Sequence, residues 1–413
     1  MTRAPECSAT LEVVEVRAFP WKASLSVLAL VVVGCNRLIA SDIHKDWLNV
    51  VPTIATLFLT YVVASEGKQS LKSFLFSRWF RSLMLVVLML ATVEFVLRTA
   101  RYHRALLYER QGNLLFTPVP NQEYTEKVSL SSSKTNDLGL RGETLDLRRS
   151  TTKILALGDS VTYGYGLGDA DTYPARLKNA LDLKFPGRYT VANGGVNAYP
   201  ISFEHQKFLY LWAKGLHPDV VIVGYSFNEG RLGHLVGSDE KTKSEFAHRV
   251  HVKNFLRTFA LYNVIVENWA RWGYDKMTRN MVPGTNFVSL SPEDVNVIYA
   301  RQLQAFVDDL QAYQVKPLFL LFCGYDAHID NYDDSGPYQK VFRSFAEAHG
   351  IPLLRSKEGL LKNQEQTDKL RPYFQDLSHM KPVGTAKVGE MIAEAVPRLL
   401  EHPPASWQYT AIH

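Results

Sequence analysis

Cysteine is scarce in this chain: 413 residues contain three, Cys7, Cys35 and Cys323. They show neither the spacing of a metal site nor the even count of a disulfide framework, so they read as unpaired thiols. A marked excess of either charge is also missing. Lys and Arg number 46 against 41 Asp and Glu, a net charge of +5, and the basic residues are scattered. That pattern excludes the basic stripe of a nucleic-acid binder. There is no internal repeat of solenoid period and little low-complexity sequence. Residues 1–22 lead into no small-residue cleavage site after a short apolar core, so no removed signal peptide is expected.

Apolar residues make up 46 % of the chain and are unevenly spread. Three runs, about Ala23 to Ala40, Trp47 to Ala64 and Trp79 to Leu97, each approach the roughly 20 residues that cross a hydrocarbon core. They read as three transmembrane helices within residues 1–104, the alternative being that one or two are buried core helices. Lys68, Lys72, Arg78 and Arg81 outweigh Arg37 and Lys45, which Asp42 and Asp46 offset, and this places the second loop in the cytoplasm. The amino terminus then lies in the cytoplasm and the domain after the third span outside it, although Arg98, Arg101, Arg104 and Arg110 argue the other way. Glu94, four residues before Arg98, reads as an ion pair near the end of a span, with a transport-path carboxylate as the alternative.

Residues 105–150 lose helical periodicity, and the prolines of Phe116-Thr-Pro-Val-Pro120 with the polar Ser131 to Ser133 suggest a linker and extended arm. From 151 to 400 the pattern changes. Short apolar runs at Ile154–Leu157, Tyr189–Ala192, Val220–Val223, Lys316–Cys323 and Pro352–Leu354 alternate with helical spacing, which predicts an α/β domain with a parallel sheet. An insertion at 231–290 is rich in basic and aromatic residues, among them His248, Arg249, His251, Lys253, Phe255, Trp269 and Trp272. It reads equally as a cap that touches a membrane surface or as a helical excursion packed on the sheet. Residues 401–413 form a tail.

Gly158 ends the first of these strands abruptly and puts Asp159 and Ser160 on a tight corner at its carboxyl end, where open α/β sheets bind ligands. A serine hydroxyl needs a base. Asp376-Leu-Ser-His379 sets a carboxylate three residues before an imidazole, close enough to hold its Nδ1 proton while Nε2 faces a serine from another loop. Asn228 follows the Val220 strand, where its amide suits a developing oxyanion. His205 and His217 are isolated and read as ordinary residues.

Gly158-Asp159-Ser160, the turn Asn193-Gly-Gly-Val-Asn-Ala-Tyr199, Gly224 to Asn228, and Asp376-x-x-His379 resemble, in order, the four sequence blocks of the SGNH, or GDSL-type, hydrolases. The resemblance spans roughly Thr135 to Leu400. It implies a three-layer flavodoxin-like α/β fold and serine acyl chemistry, with Ser160 as nucleophile, His379 as base and Asp376 orienting it. Backbone N–H groups of Ser160 and Ala198, with Asn228, would form the oxyanion hole. Two positions depart from the family pattern: Ala198 stands where a glycine is usual, with Gly195 the other candidate, and Glu229 follows Asn228 where aspartate is common. Thr135 to Glu143 resembles the approach segment of membrane-linked members, in which Arg141 either frames the site or makes a structural ion pair.

The expected function is a membrane-anchored esterase or deacylase acting on an O-acyl ester of a glycan or lipid, with no metal or organic cofactor. Two others stay open: an O-acyltransferase that passes an acyl group to a polysaccharide beside a membrane partner, and an inactive membrane scaffold.

Overall fold

The computed structural model describes residues 78–404 apart from 101, 103, 127, 150, 226, 229–239, 267–291, 327–329 and 362–369. The chain divides into two units, Met1–Ala91 and Thr92–His413.

Helix α1, Arg78–Thr99, has 22 residues and contains the third expected span. The first two spans, and the loops used to orient them, lie outside the described residues. So do several side chains at the start of α1, and among the described residues no helix is long and apolar enough to cross a membrane. Near its end, Glu94 accepts from Arg98 Nε at 2.7 Å. The same carboxylate accepts from the backbone N–H groups of Ala260 (2.9 Å) and Leu261 (2.8 Å), and Arg98 donates to the Thr258 carbonyl at 2.8 Å. The ion pair expected from the sequence therefore also grips the start of helical residues 260–266, using N–H groups that have no intrahelical acceptor.

The stretch expected as linker and arm folds into two antiparallel hairpins. β1 (Tyr108–Gln111) pairs with β2 (Leu114–Pro118), and β3 (Glu123–Thr125) pairs with β4 (Ser132–Lys134). Leu115 and Phe116 are buried against Val196, Tyr199 and Phe203, which anchors the first hairpin beside residues 194–199.

The main sheet follows. β5 (Thr152–Leu157) leads into the short helix α2 (Ser160–Tyr163) and then α3 (Tyr173–Lys184). β6 (Tyr189–Asn193), α4 (Ile201–Ala213) and β7 (Val220–Gly224) come next. α5 (Glu240–Arg257) belongs to the insertion and packs on β1 and β2, so in its described part the insertion is a helical excursion. The remainder is α6 (Pro292–Ala312), β8 (Lys316–Leu321), the small antiparallel pair β9 (Gly324–Asp326) and β10 (Asn331–Asp333), α7 (Pro337–Ala348), β11 (Leu353–Arg355), α8 (Ser356–Leu361) and α9 (Pro382–Glu401).

The five-stranded parallel sheet has the order β11-β8-β7-β5-β6. In chain order this is the flavodoxin-like 2-1-3-4-5 arrangement read from the opposite edge. α3 packs with α9, and α6 packs with α4 and α7, giving two helix sets around the sheet. Covered strands read as unbroken apolar runs, and Val220 to Val223 are all fully buried. Because β6 and β7 flank β5, the loops after all three strands meet where the strand order reverses.

One buried charge stands apart from the site. Lys207 of α4 is fully buried, and its Nζ donates to Thr117 Oγ1 at 2.6 Å. Burial pushes this ammonium down to about 7, with the nearby Glu109 opposing the shift. Between that value and the usual lysine value near 10.4, the unfolded chain holds a proton that the folded protein releases, so stability rises with pH across this window. Lys207→Met should flatten the slope and raise stability at pH 7. Urea unfolding at pH 7 and pH 9 checks this; an unchanged difference between the two pH values would contradict it.

Candidate active site

Ser160 opens α2, and Asp159 caps that helix by accepting the Val161 N–H on Oδ1 at 2.9 Å. The helix lies hard against the strand ends. A Cβ added at Gly158 would meet Thr162 Oγ1 at 2.0 Å, and one at Gly195 would meet the Tyr163 nitrogen at 2.2 Å. Only glycine allows this approach, so the two residues set how deeply the serine corner sits.

The last block arrives from the loop before α9. Asp376 Oδ1 accepts from the backbone N–H groups of Ser378 (3.0 Å) and His379 (2.8 Å), which folds the three-residue spacing into a tight turn. Its Oδ2 lies 2.7 Å from His379 Nδ1, and His379 Nε2 lies 2.8 Å from Ser160 Oγ. A continuous hydrogen-bonded line thus joins groups 219 residues apart in sequence. Burial favours the protonated form of Asp376, but the His379 hydrogen bond and charge, with the two backbone donors, outweigh it and hold the carboxyl below its ordinary value. The Tyr165 ring lies against the imidazole with centroids 4.8 Å apart, and Gln375 Nε2 holds the Tyr165 carbonyl at 2.7 Å.

Asp159 does more than support its own turn. Fully buried, it accepts from the Phe227 N–H at 2.9 Å and from Asn228 Nδ2 at 2.8 Å on Oδ2, tying the loop after β7 to the serine corner. Burial raises its carboxyl above the usual range, against the pull of these donors. The structure thus places Asn228 beside the corner with its amide oriented by a carboxylate. Of the two candidates in the second block, Gly195 already donates its N–H to Asn193 Oδ1 at 3.1 Å. Ala198 adopts φ 68°, a left-handed conformation unusual for a residue with a Cβ. The N–H groups of Ala198 and Ser160 donate to no acceptor among the described residues.

Arg141 is buried behind the corner and uses its five N–H donors fully. Nε donates to Asp169 at 2.8 Å, Nη1 to the carbonyls of Tyr163 (3.0 Å) and Gly164 (2.8 Å), and Nη2 to Ser133 Oγ (3.0 Å) and the Leu167 carbonyl (2.5 Å). The structural ion pair expected as one alternative is present, with Asp169 and Glu126, and the same guanidinium fixes the chain that leaves α2. Glu126, also buried, accepts from the Tyr163 hydroxyl at 3.0 Å and the Gly166 N–H at 3.2 Å.

The remaining candidates lie apart from this cluster. His205 pairs with Asp309 at 2.5 Å and stacks on Phe306, while the His217 ring rests against Trp212. Cys323 is buried, and burial pushes its thiol up to about 12; Cys7 and Cys35 lie outside the described residues. Among the described residues no group of three or more His, Cys, Asp and Glu stands together to hold a metal. Sequence reasoning did not single out Tyr165, Glu126 or the Asp159 link to Asn228, because each depends on contacts between distant segments.

No curated protein sequence matches the chain. Solved structures similar to it include the acetyl xylan esterase AlAXEase, at 16 % identity and a TM-score of 0.37, with 59 % of this chain and 99 % of that one covered. LAE5, described as an alpha/beta hydrolase enzyme from the metagenome of Lake Arreo, gives 17 %, 0.38, 61 % and 99 %. The psychrotrophic esterase EstA from Pseudoalteromonas sp. gives 12 %, 0.35, 61 % and 100 %. Scores this low bear on neither reaction nor substrate. The family model for the GDSL-like lipase/acylhydrolase family matches residues 156–386, from within β5 to the first turns of α9. That span is more than half of the sequence and includes every block on which the resemblance rested, so the chain belongs to the GDSL-like lipase/acylhydrolase family.

Proposed function

We propose that the protein is a membrane-attached serine esterase that removes an O-acyl group from a glycan or lipid. The observation that carries this reading is the unbroken line from Ser160 Oγ through the imidazole of His379 to Asp376. His379 Nε2 takes the Ser160 proton as Oγ attacks the ester carbonyl, and Asp376 steadies the imidazolium that results. The N–H groups of Ser160 and Ala198, with the Asn228 amide held by Asp159, receive the negative oxygen of the tetrahedral intermediate. The alcohol leaves with the proton from Nε2. Water then attacks the acyl-serine, gives its proton to His379, and releases the acid as Ser160 recovers its hydrogen.

Membrane attachment is supported by α1, where Leu85 (67 % exposed), Val86, Val87, Met89, Leu90, Phe95 and Val96 present apolar side chains outward. With the two apolar runs upstream, this favours a multi-pass protein whose catalytic domain faces away from the cytoplasm. Resistance to carbonate extraction, with protease access to the catalytic domain in intact cells, is the expected result; release by carbonate would contradict attachment.

A fluorophosphonate probe should label the wild-type protein and leave Ser160→Ala unlabelled. With an O-acetylated glycan, free acetate should be the main product. A folded wild-type protein that does not label would overturn the reading.

A further inference from the structure

The turn after β6 holds Ala198 with a backbone that a Cβ disfavours, so something must restrain it. Backbone hydrogen bonds supply part of the restraint: Val196 N–H donates to the Gly158 carbonyl at 3.0 Å, and Tyr199 N–H to the Val196 carbonyl at 3.1 Å. The rest comes from the β1–β2 hairpin. The buried Tyr199 hydroxyl donates to the Phe116 carbonyl, and its ring meets Phe116 edge-on. Next to Ala198, Asn197 Nδ2 donates to the Tyr108 hydroxyl at 3.1 Å, while Asn197 Oδ1 is buried without a partner. Among the described residues the Tyr108 hydroxyl is thus the polar anchor of the Asn197 side chain.

Tyr108 is itself well fixed. Its N–H donates to Asn254 Oδ1 at 3.2 Å, Asn254 Nδ2 donates back to its carbonyl, and the Arg257 guanidinium lies 5.5 Å from its ring centroid. A chain of contacts therefore runs from α5 through β1 to the residue beside Ala198. β1 and β2 both lie outside the matched 156–386.

We propose that Tyr108 is a positioning residue for the oxyanion turn: through Asn197, its hydroxyl holds the segment that aims the Ala198 N–H. The inference rests on the esterase reading of the site for its catalytic consequence. It predicts a specific pattern in the full-length protein assayed with p-nitrophenyl acetate. Tyr108→Phe removes one oxygen and keeps the ring against Phe116 and Arg257, so the fold is retained. Its kcat should fall about tenfold with KM within about twofold, the signature of an interaction made chiefly in the transition state. Because Tyr108 acts through Asn197, the Tyr108→Phe/Asn197→Ala double variant should be no slower than Asn197→Ala alone. Amide exchange should quicken in 195–199 and stay unchanged in β5 and β7.

Losses that simply multiply in the double variant, or unaltered kcat and exchange in Tyr108→Phe, would overturn the proposal. A wild-type protein inert toward the ester and the fluorophosphonate would sink the esterase reading alone. The exchange measurement would still decide whether Tyr108 holds the turn.

Discussion

Ser160→Ala is expected to lower kcat for ester hydrolysis by at least about 10⁴-fold, with binding of an unreactive ester analogue little changed. The hydroxyl is the group at the corner that His379 Nε2 bonds, and alanine leaves that nitrogen without its nucleophile. Asp376→Asn should cost about as much by another route, since an amide can no longer fix the Nδ1 proton and steady the imidazolium. The two losses should not multiply in the double variant, because the residues act as a unit. The acid limb follows from the direction of the Asp376 shift. A carboxyl held below its usual value stays ionised through weakly acidic pH and contributes fully above the unfolded value near 3.9. That contribution is lost as pH falls through the lower folded value, so the Asp376-linked loss of stability should appear only below about pH 4. Thermal unfolding of wild type and Asp376→Asn from pH 3 to pH 7 measures it; equal slopes would contradict the assignment.

Arg141→Lys should cost about 3–5 kcal/mol of stability, a large effect for a substitution that keeps the charge. An ammonium has three donors where this site uses five, and the carbonyls of Tyr163, Gly164 and Leu167 cannot all be served with Asp169 and Ser133. Glu126 also loses the guanidinium that offsets its burial. The chain leaving α2 carries Tyr165, whose ring meets His379, so kcat should fall in the fraction that remains folded. Urea unfolding with parallel ester hydrolysis tests both effects. A cost below about 1 kcal/mol would show that the donors are dispensable.

The strands and the serine corner were legible because a sheet covered on both faces must be written in short apolar runs, and because glycines mark the places where α2 meets the strand ends. Asp376 and His379 were legible from a three-residue spacing that one turn closes. The two hairpins of 105–150 were not: their strands are three to five residues long, mixed in polarity, and pair only after the chain has turned. The Arg141 ion pair was legible as one alternative, but the loop carbonyls that the same guanidinium serves were not. Ala198 was singled out from the order of the blocks, but neither its left-handed φ nor the hydrogen bond of its neighbour Asn197 to Tyr108, 89 residues upstream, could be read from the sequence. The reading of Glu94 as an ion pair held, yet its grip on Ala260 and Leu261 joins positions 166 and 167 residues apart, beyond any local pattern.

That grip has a mechanical consequence. Glu94 and Arg98 splint the last turn of α1 to 258–261. Parting residues 94–98 from 258–261 would require tearing a carboxylate from two backbone amides. Breaking that hold would strand a carboxylate and a guanidinium that now satisfy each other, so residues 94–98 travel with 258–261 as one piece.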